Sequence, residues 1–261
     1  MMIDTDVDTR GRWPHSGRRA VVVGGTHGVG LAIAEQLTNG GAQVLVTGRN
    51  PENVRAAAQT LGNPDSALAS DVSQPSEIAA LTSRVSKQFG SLDALFINVG
   101  VAEFEPFAEV TEQSWDRHFN VNAKGAFFTA QKLVPLVRPG GGVVFTTVTA
   151  ATASPGMGVY LATKSAVRAF ARAMAAELVP QGVRVNTVAP GFIDSPTLGV
   201  AGATAEERAE LHRVGDAVTP MKRHGTPDEV ARAAVFLAVD ATFTTGAELQ
   251  VDGGISGIDA P

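Results

Sequence analysis

A short apolar run, Arg19–Val23 (R-A-V-V-V), feeds directly into a glycine cluster, Gly24-Gly25-Thr26-His27-Gly28-Val29-Gly30. Apolar residues at Val29, Ile33 and Leu37 then follow a helical period, Asn39-Gly40-Gly41 closes that segment, and Gln43–Thr47 is a second apolar run. Strand, glycine turn, helix and strand within about 30 residues make a βαβ unit. This unit restricts what the chain can become. Its strands must lie parallel, with helices over the faces of the sheet, and buried parallel strands read as continuous apolar runs. The remaining runs obey that rule: 66–70, Leu92–Ile97, Gly142–Val148, Val183–Ala189 and Glu248–Val251. Helical patterns lie between them. Pro51 opens one after Asn50, Pro75–Phe89 is another, and 111–137 is a long one. A further helix runs from Tyr160 to Val179, with Val167, Phe170, Met174 and Leu178 as its apolar stripe. Thr204-x-x-Glu207 and Thr226-x-x-Glu229 are capping boxes that start two more. The expected fold is α/β, a single-domain, Rossmann-like, doubly wound parallel sheet of about seven strands with helices on both faces.

The alternation continues without a linker, so residues 18–261 are expected to form one domain. Residues 1–17 read as a loose leader with Trp13 as its candidate anchor. With 18% charged residues, a net charge of −5 and no basic run, the chain offers no nucleic-acid surface. The lack of cysteine excludes disulfides, thiolate catalysis and Cys-ligated metal. The five histidines are scattered without ligand spacing, and no metal is expected. No apolar run is long enough to span a membrane, and no signal segment opens the chain, so a cytoplasmic protein is expected.

In an open parallel sheet, ligands bind beyond the carboxyl ends of the strands. The glycine cluster stands at the first such end. Its spacing is G-x-x-x-G-x-G. Glycines there allow a tight turn and let backbone N–H groups reach a pyrophosphate at a helix N-terminus. The second strand ends in Gly48-Arg49 rather than in the carboxylate that would hold the ribose hydroxyl of NAD. Arg49, helped by His27, is instead suited to a 2′-phosphate. The expected cofactor is NADP(H), with NAD(H) as the alternative. Tyr160, the only tyrosine, has Lys164 four residues on, which places both on one helical face. A nearby cation favours the ionised phenol, so the pair is a candidate proton donor and acceptor.

The order and spacing of these signals resemble the classical short-chain dehydrogenase/reductase family from about Gly17 to Gly254. The resemblance rests on the Gly24–Gly30 turn, Asn98-Val99-Gly100, Asn122-Ala-Lys-Gly125, Tyr160-x-x-x-Lys164, Pro190-Gly191 and Val251-Asp252-Gly253-Gly254. It implies hydride transfer between nicotinamide and a carbonyl or alcohol, with Tyr160 as general acid or base. Lys164 would hold the nicotinamide ribose and lower the phenol pKa. Thr147 stands where the family's catalytic serine lies, 13 residues before the tyrosine, with Thr146 and Thr149 as alternatives. Asn122 would support a proton relay. The cofactor would lie against Gly24, Thr26, His27, Gly28, Val29, Gly30, Arg49 and Asn50, with Asp71 and Val72 at adenine. Asn98, Val99 and Gly100 would flank it, and Pro190, Gly191, Ile193 and Ser195 would surround the nicotinamide. Residues 196–216 would form a substrate lid, and Phe104, Met157, Phe192 and Leu198 an apolar pocket. The family pattern also implies a homotetramer, joined through the helices at 111–137 and 160–179 and through the C-terminal strand. Three departures stand out: Thr147 for serine, Val23 for a threonine, and Ile97 and Val99 for Asn and Ala. A noncatalytic cofactor-binding scaffold, an NAD-dependent dehydrogenase, and an isomerase or dehydratase on the same site are the rival readings.

Overall fold

The computed structural model describes residues 14–149, 154–195 and 204–258. Trp13, Leu198 and most of the expected leader lie outside these residues. Seven parallel strands form one sheet: β1 (Arg19–Val23), β2 (Gln43–Gly48), β3 (Ala67–Ala69), β4 (Leu92–Ile97), β5 (Val137–Thr146), β6 (Arg184–Pro190) and β7 (Glu248–Val251). Their order in space is β3-β2-β1-β4-β5-β6-β7. The order reverses between β1 and β4, which opens a crevice at their carboxyl ends.

The strands are apolar throughout because each feeds two cores. Ala20 and Val22 of β1 pack with Val44, Val46, Phe96 and Val144 under the helices α1 (Gly28–Asn39) and α8 (Pro227–Val235). Val21 and Val23 point the other way, to Leu45, Leu95, Ile97, Val143 and Phe145. That second core is covered by α3 (Pro75–Phe89), α5 (Ala126–Leu133) and α6 (Gly158–Leu178). The period-two alternation thus sorts one apolar run onto two buried faces. Helix α2 (Pro51–Thr60) starts where Asn50 caps it, with proline in its first turn. Both expected capping boxes are present, Thr204 with Glu207 on α7 (Ala205–Val218) and Thr226 with Glu229 on α8. A third joins Thr111 and Ser114 at the start of α4 (Glu112–His118), where serine takes the place of the usual Glu or Gln.

Two expectations change. The long helix at 111–137 is interrupted: α4 passes through a π turn, Phe119–Gly125, before α5 begins. A Cβ on Gly125 would lie 2.8 Å from the Val72 side chain, so close packing fixes this turn against the end of the third strand. The fifth strand is displaced from 142–148 to Val137–Thr146, with a register shift opposite Leu92 and Ala94. Thr147 and Val148 therefore lie just beyond its end, on the functional edge.

Arg184 is buried within β6 and ties the start of that strand to the segment that follows α8. Its guanidinium donates to the carbonyls of Leu237, Ala238 and Ala241 at 2.6, 2.6 and 3.0 Å. These belong to the C-terminal end of the π-helical segment Phe236–Asp240, where carbonyls lack helical partners. Arg184→Met leaves those carbonyls buried without donors. Its unfolding free energy in urea is expected to fall by about 2–4 kcal/mol.

Candidate active site

The glycine turn is shaped by contacts that exclude side chains. Gly24 has φ +77°, and a Cβ there would meet the Asn98 carbonyl at 2.8 Å. A Cβ on Gly30 would lie 2.1 Å from the Gly24 carbonyl oxygen. Asn98 Nδ2 donates to that same oxygen at 3.0 Å, joining the ends of β1 and β4. Helix α1 begins at Gly28 with His27 at its cap, no side chain occupying the cap and no acidic residue in its first turn. Its N-terminal N–H groups and positive dipole end are suited to a pyrophosphate. Val29 is half-buried and packs against the core behind the turn. The cradle therefore fits a dinucleotide.

At the end of β2, a Cβ on Gly48 would come within 2.4 Å of the buried Thr26 Oγ1. A carboxylate cannot be accommodated at position 48 without displacing the turn. Arg49 follows and is exposed. Asn50 has a different occupation: its carboxamide oxygen accepts from Glu52 and Asn53 N–H at 2.7 and 3.3 Å and caps α2. The Asp71 carboxylate accepts from Ser73 N–H at 2.9 Å, and Val72 is buried in the core. On the other side of the crevice, Gly191 approaches Asp252 so closely that a Cβ would lie 2.8 Å from its Cα. Ile193 bridges to Gly225, and Ser195 Cβ lies 3.8 Å from a Cβ built on Gly28. The loop after β6 thus reaches back to the glycine turn.

Tyr160 and Lys164 rise from the first turns of α6. Lys164 Nζ lies 5.9 Å from the centre of the tyrosine ring. It donates to the Val99 carbonyl at 3.1 Å and the Thr146 carbonyl at 3.0 Å. A Cβ on Gly100 would stand 3.1 Å from this nitrogen, so the ammonium packs closely against the strand-end loop. Asn122, within the π turn, accepts from Val101 N–H at 2.7 Å and donates to Val101 O at 2.8 Å. It also donates to Thr163 Oγ1 at 3.1 Å, which in turn donates to Tyr160 O at 2.6 Å. The asparagine pins the strand-end loop to α6, as π turns often do near functional sites.

The electrostatics differ from the expected lowering of the phenol pKa. Burial pushes Tyr160 up to about 12. Burial also brings Lys164 down to about 8, because both groups lose water and neither faces a carboxylate. The ammonium is held by neutral carbonyls, which stabilise it only in part.

Thr147 also departs from expectation. Its hydroxyl is buried and lies 2.8 Å from Glu248 Oε1 and 3.1 Å from the Val188 carbonyl, both acceptors. Arg168 Nε donates to both oxygens of Glu248 at 2.8 Å, and its Nη2 donates to Val148 O at 2.7 Å. The single proton of Thr147 thus has two acceptors within the fold, the Glu248 carboxylate and the Val188 carbonyl. Thr149 Oγ1 donates to Asp252 Oδ2 at 2.9 Å. Glu248 and Arg168 were not foreseen. The available signal was that Tyr160, Lys164 and Arg168 stand at i, i+4 and i+8 on one face of a helix. Of the expected apolar wall, Phe104 packs on Gly156, where an added Cβ would meet its ring at 2.7 Å. Phe192 lies against the His224 ring, with 5.6 Å between centroids.

A family model described as enoyl-(acyl carrier protein) reductase matches residues 23–256. The chain belongs to the short-chain dehydrogenase/reductase family. Among its relatives, an oxidoreductase of Sarocladium schorii is 34% identical over 93% of this chain and 97% of its own. The L-fucose dehydrogenase of Mus musculus is 35% identical over 92% of this chain and 89% of its own. The 3-oxoacyl-(acyl carrier protein) reductase of Staphylococcus aureus is 33% identical over 91% and 98%. Among solved structures, a short-chain dehydrogenase/reductase (glucose/ribitol dehydrogenase) from Brucella melitensis superposes with TM-score 0.85 at 31% identity, over 94% of this chain and 98% of its own. Members of the family use nicotinamide cofactors. No helix among the described residues is long and apolar enough to cross a membrane.

The shifted pKa values set a pH signature. Unfolded, Lys164 keeps its proton to about 10.5, whereas folded it loses it near 8. Between these values the unfolded chain binds more protons, so stability rises with pH. Tyr160 acts oppositely only above pH 10, where the unfolded phenol ionises and the folded one does not until about 12. Unfolding free energy is therefore expected to climb from pH 8 to 10, and Lys164→Met to flatten that climb in urea titrations.

Proposed function

We propose that the protein is an NADP(H)-dependent oxidoreductase interconverting a ketone or aldehyde and an alcohol, with Tyr160 as acid and base. The observation that carries this reading is the buried Lys164, bonded to the strand ends at Val99 and Thr146 and lying 5.9 Å from the Tyr160 ring, beside the glycine cradle. The dinucleotide, when bound, supplies hydride to a carbonyl carbon or takes it from an alcohol carbon. Tyr160, whose proton is held firmly at neutral pH, gives it to the oxygen that becomes negative on reduction, yielding the alcohol. In oxidation the same oxygen, as phenolate, receives the proton of the alcohol. Gly24, Thr26, His27, Gly28, Val29 and Gly30 would cradle the pyrophosphate, and Asn98–Gly100 and Pro190–Ser195 would enclose the nicotinamide half. Of the expected lid, residues 196–203 lie outside the described residues, and α7 is the part that would stand over the substrate.

Three kinds of support bear on the substrate and cofactor. Relatives named for L-fucose oxidation, 3-oxoacyl reduction and 2-(S)-hydroxypropyl-CoM oxidation all work at a hydroxyl or keto carbon. The crowding of Gly48 against Thr26 leaves no place for a ribose-binding carboxylate, and exposed Arg49 is next in line for a 2′-phosphate. The exposed Trp115 and Phe128 lie on the helices expected to face a second subunit, which favours a homotetramer. A cytoplasmic location accompanies this reading.

We assign Thr147 a positioning role, because its hydroxyl proton has its acceptors within the fold, Glu248 and the Val188 carbonyl. Tyr160→Phe is expected to leave dinucleotide binding intact and to lower kcat about 100- to 10,000-fold on a panel of ketones, secondary alcohols and enoyl thioesters, followed at 340 nm. Thr147→Val is expected to cost less, with Thr147→Ser restoring the loss. A fall as deep as that of Tyr160→Phe would place the Thr147 hydroxyl on the substrate oxygen instead. Arg49→Ala is expected to weaken NADPH binding about 10- to 100-fold while leaving NADH unchanged, as removal of charge-assisted contacts to a phosphate requires. Equal effects on both would refute the 2′-phosphate assignment.

A further inference from the structure

Glu103, Glu105 and His118 are separate in sequence but meet between the loop after β4 and the end of α4. One ligand atom from each lies within 4.8 Å of the others. His118 is buried, 1% exposed. Its Nδ1 lies 2.8 Å from the Ser114 carbonyl, which can only accept. That contact places a proton on Nδ1, so in the neutral ring Nε2 carries the lone pair. Nε2 is buried and has no hydrogen-bond partner. Oε2 of Glu105 is likewise buried without a partner. Two buried acceptors in one cluster with no donor between them are costly. A cation shared between them removes the cost. The Nδ1–carbonyl bond is also the contact that orients a histidine whose other nitrogen holds a metal.

We propose that Glu103, Glu105 and His118 form a binding site for a divalent first-row transition-metal ion of the Zn²⁺ class. Imidazole nitrogen with carboxylate oxygens is a donor set for such ions. Ligands about 2.0–2.2 Å from a tetrahedral zinc stand roughly 3.3 Å apart, so side-chain adjustments of about 1.5 Å complete the site. Glu103 is also paired with Arg117, so the ion would share this carboxylate with the guanidinium. The segment has a place in the proposed active site. Glu105 N–H donates to Gly156 O at 2.9 Å, so the ion would clamp the loop that walls the approach to Tyr160. The cluster of His212, Asp216 and His224 differs, because Asp216 already bonds His224 Nδ1 at 2.7 Å and lies 3.4 Å from His212 Nδ1.

The test is zinc binding by the chelator-treated full chain, followed by calorimetry and thermal unfolding, with Mg²⁺ as comparison. Wild type is expected to bind one Zn²⁺ and to gain about 5 °C in Tm at a hundredfold excess over Kd, with no response to Mg²⁺. Glu105→Gln is nearly isosteric and keeps the fold, since its amide can donate to His118 Nε2. It and His118→Asn are expected to weaken zinc binding at least tenfold, and Asp216→Asn to leave it unchanged. The proposal is overturned if wild type takes up no zinc, if Glu105→Gln binds zinc as wild type does, or if uptake is lost only in Asp216→Asn. None of these readouts depends on turnover, so they stand apart from the oxidoreductase reading.

Discussion

The site depends on a buried ammonium. Lys164 has left water, and burial alone lowers its pKa to about 8. Its remaining partners are the Val99 and Thr146 carbonyls, one from the loop after β4 and one from the last residue of β5. A charge in this position requires both strand ends to stay where they are. Gly100 lies against it, where an added Cβ would stand 3.1 Å from Nζ. Asn122 and Thr163 secure the loop and α6 from the other side. The lysine is thus a poor contributor to stability and a strong constraint on geometry, a division expected at a functional site.

A second polar network lies one helical turn farther along the same face. Arg168 and Glu248 form a half-buried pair, and Thr147 and Val148 are joined to it. It connects α6, the end of β5 and the start of β7, three elements that meet at the edge of the crevice. Paired charges with their remaining sites satisfied hold a fixed geometry more surely than they add stability. The Thr147 hydroxyl is held inside this network, with the Glu248 carboxylate and the Val188 carbonyl as its acceptors.

The architecture was legible because it rests on local signals. Continuous apolar runs, glycines at strand ends and proline or capping residues at helix starts each act within a few residues, and β1, α1, β2, α3 and β4 fall where these signals place them. Tyr160 and Lys164 were legible for the same reason, being one helical turn apart. What escaped was set by distant packing. The π turn at Phe119–Gly125 answers to Val72, and the early start of β5 answers to its pairing with Leu92. The Thr147 orientation answers to Glu248, 101 residues away. The phenol pKa was misjudged because sequence reveals which charges are near but not how far water is excluded. His118 belongs to the same class: no ligand spacing marks it, since its companions Glu103 and Glu105 lie in a loop whose path depends on Gly156.

Substrate choice must then lie in those same long-range contacts. The proton pair and the strand ends are fixed by the lysine, and the dinucleotide cradle by glycines that admit no side chain. Relatives at 33–35% identity are named for a sugar and an acyl chain on a carrier protein, so fold and machinery alone do not discriminate between substrates. Among the described residues, the segments beside the strand ends are 101–110, 154–157 and 191–195. Phe104 on Gly156 and Glu105 bonded to Gly156 join the first two segments, and Phe192 against His224 joins the third to the turn before α8. Each segment is thereby coupled to a histidine cluster, Glu103–Glu105–His118 on one side and His212–Asp216–His224 on the other. A change in the charge or ligation of either cluster would act on the shape of the pocket without touching Tyr160 or Lys164.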